Sequence, residues 1–96
     1  MYKIALHPRA DKEIEKLDKK LRQIMRDRYF AEIAESPYTV GKRLMGNLKD
    51  FYSYRFSYQG VNYRIIYEIL KEKLVVILMV STRENLYKRL LQRFRL

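Results

Sequence analysis

The 96-residue chain carries 21 Lys plus Arg against 11 Asp plus Glu, a formal charge of +10, and 48% of its residues are hydrophobic with only 3 Gly and 2 Pro. That make-up describes one packed domain over residues 1–96 and excludes a disordered basic tail or a low-complexity linker. The absence of cysteine excludes zinc fingers, thiol catalysis and disulfide staples, and it fits a reducing compartment, with the cytoplasm as the default.

Met1 to Leu6 reaches Pro8 and a charged stretch before the apolar centre of a signal peptide could form. The longest apolar run, Leu74 to Val80, is about a third of the roughly 20 residues that a membrane-spanning helix needs. No membrane role is expected. The partners of so positive a body are nucleic acids, anionic lipid surfaces or acidic proteins.

Tyr2, Ile4 and Leu6 alternate with Lys3, Ala5 and His7, the two-residue period of a half-buried strand, and Pro8 stops the ladder. From Arg9 the period becomes helical: Ala10, Ile14, Leu17, Leu21, Ile24 or Met25, Tyr29 and Ile33 recur at three- and four-residue steps as far as Glu35. Ser36-Pro37 terminates this region. One long helix or a hairpin broken at Asp18-Lys19-Lys20 both fit, and the hairpin is preferred. Tyr38 to Asp50, with Gly41 and Gly46, reads as a loop with a short extended piece at Lys42 to Leu44.

Tyr52, Tyr54, Phe56 and Tyr58 alternate with Ser53, Arg55 and Ser57 in a strand with one aromatic and one polar face. Gln59-Gly60 turns the chain, Asn62 to Ile69 forms the next strand, Lys71-Glu72-Lys73 turns it again, and Leu74 to Val80 is a third strand, central and buried on both faces. Glu84 to Phe94 returns to helical spacing through Leu86, Leu90, Leu91 and Phe94, with Lys88, Arg89, Arg93 and Arg95 suited to the negative end of the dipole. The expected architecture is α+β: a small antiparallel sheet made of the N-terminal strand and a three-stranded meander, an N-terminal helical hairpin packed on one face, and a short C-terminal helix. The helices are expected on one face.

The polar face of the meander carries the chemistry. Arg55, Arg64 on the next strand and Arg83 just past the third converge on one concave surface if they share a side, and a guanidinium cluster of that kind is a phosphate site. The competing reading makes them solvated strand positions or ion-pair partners of Glu68 and Glu84.

Ser81-Thr82-Arg83-Glu84-Asn85-Leu86-Tyr87-Lys88, following Tyr63-Arg64-Ile65-Ile66-Tyr67 and Val75 to Val80, resembles the RelE/ParE superfamily of toxins from type II toxin–antitoxin systems. The resemblance spans nearly the whole chain, including Lys42-Arg43-Leu44-Met45-Gly46 and Tyr52-Ser53-Tyr54-Arg55. Its RelE-like branch implies ribosome-dependent cleavage of messenger RNA in the decoding site of the small subunit. By position, Arg64 matches the arginine of the tyrosine-arginine strand, Arg83 the arginine after the last strand, Tyr87 the C-terminal tyrosine, and Arg55 a catalytic lysine. Ser53 stands where RelE has another lysine and Met45 where its loop has an arginine; Lys42, Arg43 and Lys49 are the nearby substitutes. With Lys88 these form the expected RNA-binding set.

The 2′-hydroxyl of RNA is a built-in nucleophile, so cleavage needs alignment, stabilisation of the phosphorane charge and proton transfer, with neither metal nor cofactor expected. Arg64 and Arg83 would stabilise the phosphate. Tyr87 would transfer a proton or stack on a base, and since a phenol ordinarily ionises near pH 10, a general-base role calls for cations beside it, which Arg55, Arg83 and Lys88 could supply. Glu84 is the alternative proton-transfer group, although the start of the last helix also suits it as a dipole partner. His7 reads as an ordinary edge residue. Most of the aromatic residues should be core, with their phenol oxygens at the rim, leaving Tyr87, Phe51 and Tyr38 as stacking candidates.

The leading expectation is an endoribonuclease toxin. Two others stand beside it: a ParE-like toxin acting on DNA gyrase, and a basic RNA- or ribosome-binding module without catalysis. The resemblance also implies a RelB-like antitoxin, acidic or amphipathic, forming a hetero-oligomer with a toxin that is monomeric when free.

Overall fold

The computed structural model describes residues 1–94; Arg95, assigned above to the basic end of the last helix, lies outside the described residues. The first strand, β1 (Lys3–Leu6), ends where His7-Pro8 begins α1 (Pro8–Glu15). Pro8 sits at a helix start, where its missing N–H costs nothing, and His7 Nδ1 accepts from the Arg9 N–H at 3.1 Å. His7 is thus a helix cap.

Lys16 to Asp18 break the helical region, and α2 (Lys19–Ile24) runs back through a π-helical turn, Met25–Tyr29, into α3 (Phe30–Glu35). The hairpin is therefore present. The π turn has a reason in the sequence: Leu21, Met25, Tyr29 and Ile33, all buried, recur at steps of four. An α-helix of 3.6 residues per turn drifts about 40° at each such step, and one wider i→i+5 turn brings the stripe back onto the sheet.

Two short helical turns lie in the segment read as loop: α4 (Pro37–Val40) and a 3₁₀ turn at Gly46–Leu48. Elements of four and three residues are too short to show a period, which is why the sequence hides them. Between them β2 (Lys42–Arg43) is the expected extended piece, followed by β3 (Phe51–Tyr58), β4 (Val61–Leu70) and β5 (Leu74–Thr82). The sheet order is β1-β5-β4-β3-β2. Pairing is antiparallel from β2 to β5, but β1 joins β5 in parallel, so the sheet is mixed. The cause is the connection: the intervening helices and meander bring the chain back alongside β1 in the same direction.

The β3–β4 hairpin turns through Gln59 and Gly60, both at positive φ (50° and 79°), the conformation a two-residue hairpin turn demands. β5 lies between β1 and β4 and is buried over most of its length, as its unbroken apolar run implies.

The last helix, α5 (Leu86–Phe94), starts two residues later than its spacing suggests and packs on the face opposite the N-terminal helices, not beside them. A sheet with two apolar faces needs two covers. Tyr54, Phe56, Ile65, Tyr67 and Ile77 meet the helical hairpin on one side, while Phe51, Ile66, Leu78 and Met79 meet Leu44, Leu48, Leu86 and Leu90 on the other. The aromatic strand is core, and two of its phenol oxygens reach toward the rim as expected: Tyr54 donates to Glu32 and Tyr58 to Asp18, each at 2.6 Å. Tyr67 on β4 departs from that expectation, being fully buried with its hydroxyl donating to the Pro37 carbonyl at 2.6 Å. Burial pushes the Tyr54 and Tyr67 phenols far above their ordinary ionisation range, the carboxylate of Glu32 adding to the shift at Tyr54. They remain neutral donors.

Candidate functional site: a cationic cleft beside the last helix

Arg55 on β3 stands directly opposite Arg64 on β4, and Arg64 opposite Ser81 on β5. Residues paired across antiparallel strands share a face, and this is the face that carries α5. β2 and its loop rise on one side, the β5–α5 turn on the other. The resulting cleft, of about 520 Å³, is lined by Lys42, Arg43, Leu44, Met45, Leu48, Ser53, Arg55, Arg64, Arg83 and Tyr87. None is acidic. A neighbouring concavity of about 340 Å³ shares Arg55, Arg64 and Arg83 and adds Ser57, Asn62 and Tyr63, so the basic surface extends along the end of the meander.

The local structure explains why these cations are available. Like charges directly opposite one another destabilise a strand pair, and a folded chain would ordinarily separate Arg55 and Arg64 or pair them with carboxylates. Among the described residues the only ion pairs run from Glu13 to Arg89 and Arg93. Glu68 and Glu84 do not neutralise the cluster. Glu68 instead has its carboxyl pushed upward by burial, with the Asp50 carboxylate contributing. The Arg64 guanidinium donates a long hydrogen bond, 3.5 Å, to the buried Ser53 hydroxyl, which aims it along the floor of the cleft. Arg55 and Arg83 are exposed, and the Tyr87 ring is half exposed at the rim.

The cleft gathers six of the eight residues singled out from the sequence: Arg55, Arg64, Arg83, Tyr87, Lys42 and Arg43. Lys49 lines a different concavity with Tyr38, Asp50 and Glu68, and its carbonyl accepts from Arg43 Nε at 2.6 Å; its part is to hold the loop arginine. Lys88 is exposed on α5 and does not line the cleft. Of the stacking candidates, Phe51 is buried in the core beneath α5, and Tyr38 is exposed but packs edge-on against Tyr2 and Tyr52 away from the cleft. Tyr87 alone of the three lines the cleft. Glu84 lies in the turn before α5 and outside the cleft lining.

Ser53 is buried, 3% exposed, and its hydroxyl accepts from Arg64. Met45 sits on the rim, 85% exposed, and Lys42 and Arg43 line the same cleft. Among the described residues no group of three or more His, Cys, Asp or Glu side chains gathers as a metal site, and no helix is long and apolar enough to cross a membrane. The sequence reading missed the tie behind the cleft, in which Glu13 of α1 holds Arg89 and Arg93 of α5. On an amphipathic helix such a glutamate looks like any solvated charge, and no local pattern marks it.

Residues 4–91 match the family of ParE-like toxins of type II bacterial toxin–antitoxin systems, and the chain belongs to that family. It is a toxin of the RelE/ParE superfamily. Among solved structures it is similar to the RelBE2 toxin–antitoxin complex from Mycobacterium tuberculosis, with 29% identity, a TM-score of 0.70 and coverage of 85% of this chain and 98% of that one. The isolated RelE toxin of E. coli matches at 28% identity and a TM-score of 0.67, over 98% of this chain and 99% of that one. The intact E. coli RelBE complex matches at 27% identity and a TM-score of 0.69, over 88% and 99% respectively. No curated protein matches the chain.

Proposed function

We propose that this toxin is an endoribonuclease that cuts messenger RNA in the decoding site of the small ribosomal subunit. The observation that carries the reading is the acid-free cleft that brings Arg55, Arg64, Arg83, Lys42, Arg43 and Tyr87 together. Arg64 and Arg83 hold the scissile phosphate and stabilise the charge that builds on it, and Arg55 and the loop cations hold its neighbours. The RNA 2′-oxygen attacks the adjacent phosphorus and the 5′-oxygen leaves with a proton. One fragment ends in a 2′,3′-cyclic phosphate and the other begins with a 5′-hydroxyl. Tyr87, at the rim, transfers a proton or holds a base by stacking, and the ribosome supplies the alignment that so open a cleft does not. Neither a metal nor a cofactor enters these steps.

The 96 residues act as one domain in the cytoplasm, monomeric when free. In the resting cell a RelB-type antitoxin, acidic or amphipathic, covers the positive surface in a hetero-oligomer. The RelBE complexes among the structural relatives support this partner.

Primer extension on a translated message after brief induction tests the function. Cuts inside codons, absent when the message carries no start codon, are expected. Uncut messages in arrested cells would overturn the nuclease. Membership among ParE-like toxins supports a second reading, action on DNA gyrase, which instead predicts chromosomal breaks with messages intact. Association with ribosomes should also weaken steeply with salt: each phosphate contact released contributes a slope of about −0.7 to −0.9 in log K against log salt, and five cations line the cleft. A slope near zero in a sedimentation series from low to moderate salt would exclude a phosphate-dominated contact.

A further inference from the structure

The ladder between β1 and β5 ends early. Leu6 pairs with Ile77 and the His7 N–H reaches the Ile77 carbonyl, but then Pro8 turns the chain away into α1 and leaves the edge of β5 from Leu78 onward without a strand beside it. Two side chains take the strand's place. Glu13 Oε1 accepts from the Val80 N–H at 3.0 Å, and Arg93 donates to the Leu78 carbonyl at 3.1 Å. The two are joined to each other, Arg93 to Glu13 Oε2 at 2.8 Å. Arg89 adds a second contact to Glu13 Oε2 at 3.3 Å and a hydrogen bond to the Ser81 hydroxyl. Ser81 is the cross-strand neighbour of Arg64. One carboxylate from α1 therefore ties α5 to the end of β5 beside the cleft.

On α5, successive side chains turn by about 100°. Leu86 and Leu90 form the buried stripe, Arg89 and Arg93 fall on one flank of it, and Tyr87 falls on the other. Phe94, edge-on against Phe51 with ring centroids 5.6 Å apart, anchors the far end of the helix beside that stripe. The clamp at Arg89 and Arg93 bears on the other flank and resists roll of the helix about its own axis, and with it sets where the phenol at Tyr87 points.

We infer that Glu13 is a positioning residue for the cleft: through Arg89 and Arg93 it sets the roll of α5 and so places Tyr87 against Arg64 and Arg83. The inference rests on the reading of the cleft as the reaction site. It predicts that the charge of Glu13 matters for the chemical step although the residue lies outside the cleft lining.

The test is Glu13→Gln in the full chain, with Glu15→Gln, an exposed glutamate on the same helix, as the control for net charge. Glutamine keeps an oxygen for the Val80 N–H while removing the charge that holds the arginines, and if it does not fold, Arg89→Gln removes the more exposed partner in its place. Amide exchange at Arg89 to Leu91 should rise at least about tenfold, with α1 and β4 unchanged. Cleavage of a translated message should slow about 10- to 100-fold, with ribosome association kept within about twofold. In a Tyr87→Ala background, which removes ring and hydroxyl together, the same change should slow cleavage further by less than about twofold, since it acts through that side chain. Exchange in α5 equal to that of the unaltered protein, or an undiminished effect in the Tyr87→Ala background, would overturn the inference. An unaltered protein that cuts no message would sink the nuclease reading instead, and the exchange and Glu15→Gln arms would still decide whether the clamp sets α5.

Discussion

Arg83→Ala is expected to slow cleavage of a translated message about 10²- to 10³-fold, the usual loss for one donor to a developing oxyanion, and to release the growth arrest caused by expression. The fold should be untouched, since Arg83 is exposed in the turn after β5 and makes no ion pair among the described residues. Circular dichroism indistinguishable from the unaltered protein is the control. Tyr87→Phe divides the two roles left to the phenol: phenylalanine keeps the stacking face and deletes the proton. Loss of cleavage with ribosome binding retained identifies proton transfer, and retained cleavage identifies stacking. Arrest undiminished by both Arg83→Ala and Tyr87→Phe would remove this cleft from the mechanism.

The largest effect on stability is expected at Gly41→Ala. The backbone there is extended (φ −109°, ψ 153°), which any residue adopts, so conformational strain plays no part. The obstacle is space. A methyl at Gly41 would overlap the Tyr67 hydroxyl and lie 2.8 Å from Cζ of the same ring. Tyr67 is fully buried, stacked on Tyr52 with ring centroids 5.6 Å apart and tied to the Pro37 carbonyl. It has nowhere to go. Overpacking costs about 1–3 kcal/mol, and a carbonyl stripped of its buried donor costs about 1–3 kcal/mol more. At about 4–8 °C per kcal/mol for a domain of this size, Tm should fall by about 8 °C or more in a thermal melt. Tyr67→Phe in the same chain should recover part of the loss, because the hydroxyl is the nearest atom in the way. A Tm unchanged by Gly41→Ala would mean that the α4–β2 corner moves freely away from the sheet.

Much of this architecture was legible because its signals are periodic. The alternation from Tyr52 to Tyr58 marked an aromatic face and an arginine face, and the register of β3 on β4 keeps Arg55 and Arg64 on one side as that alternation requires. The apolar run from Leu74 to Val80 marked a strand covered on both faces. Two apolar faces need two covers, but nothing in the local spacing of Leu86 and Leu90 says which face they seek, which is why the sequence reading puts all the helices on one face. The parallel entry of β1 was equally hidden, because strand direction depends on the path of the chain and not on the strand's own residues. At the site, strand alternation and matching by position singled out the three arginines and Tyr87, which line one cleft, and also Lys49 and Lys88, which lie outside its lining because position along the chain does not say which way a loop or helix residue faces. Phe51 is buried because alternation from Tyr52 puts its ring on the α5 side of the sheet, beneath that helix.

Arg55 and Arg64, face to face on adjacent strands with no carboxylate between them, have one more consequence. Any polyanion laid across the cleft, nucleic acid or acidic peptide, relieves their mutual repulsion and stabilises the folded protein. Resistance to heat is then a gauge of occupancy. The same repulsion keeps two copies from meeting cleft to cleft, so the surface that demands a negatively charged guest also discourages the protein from satisfying itself.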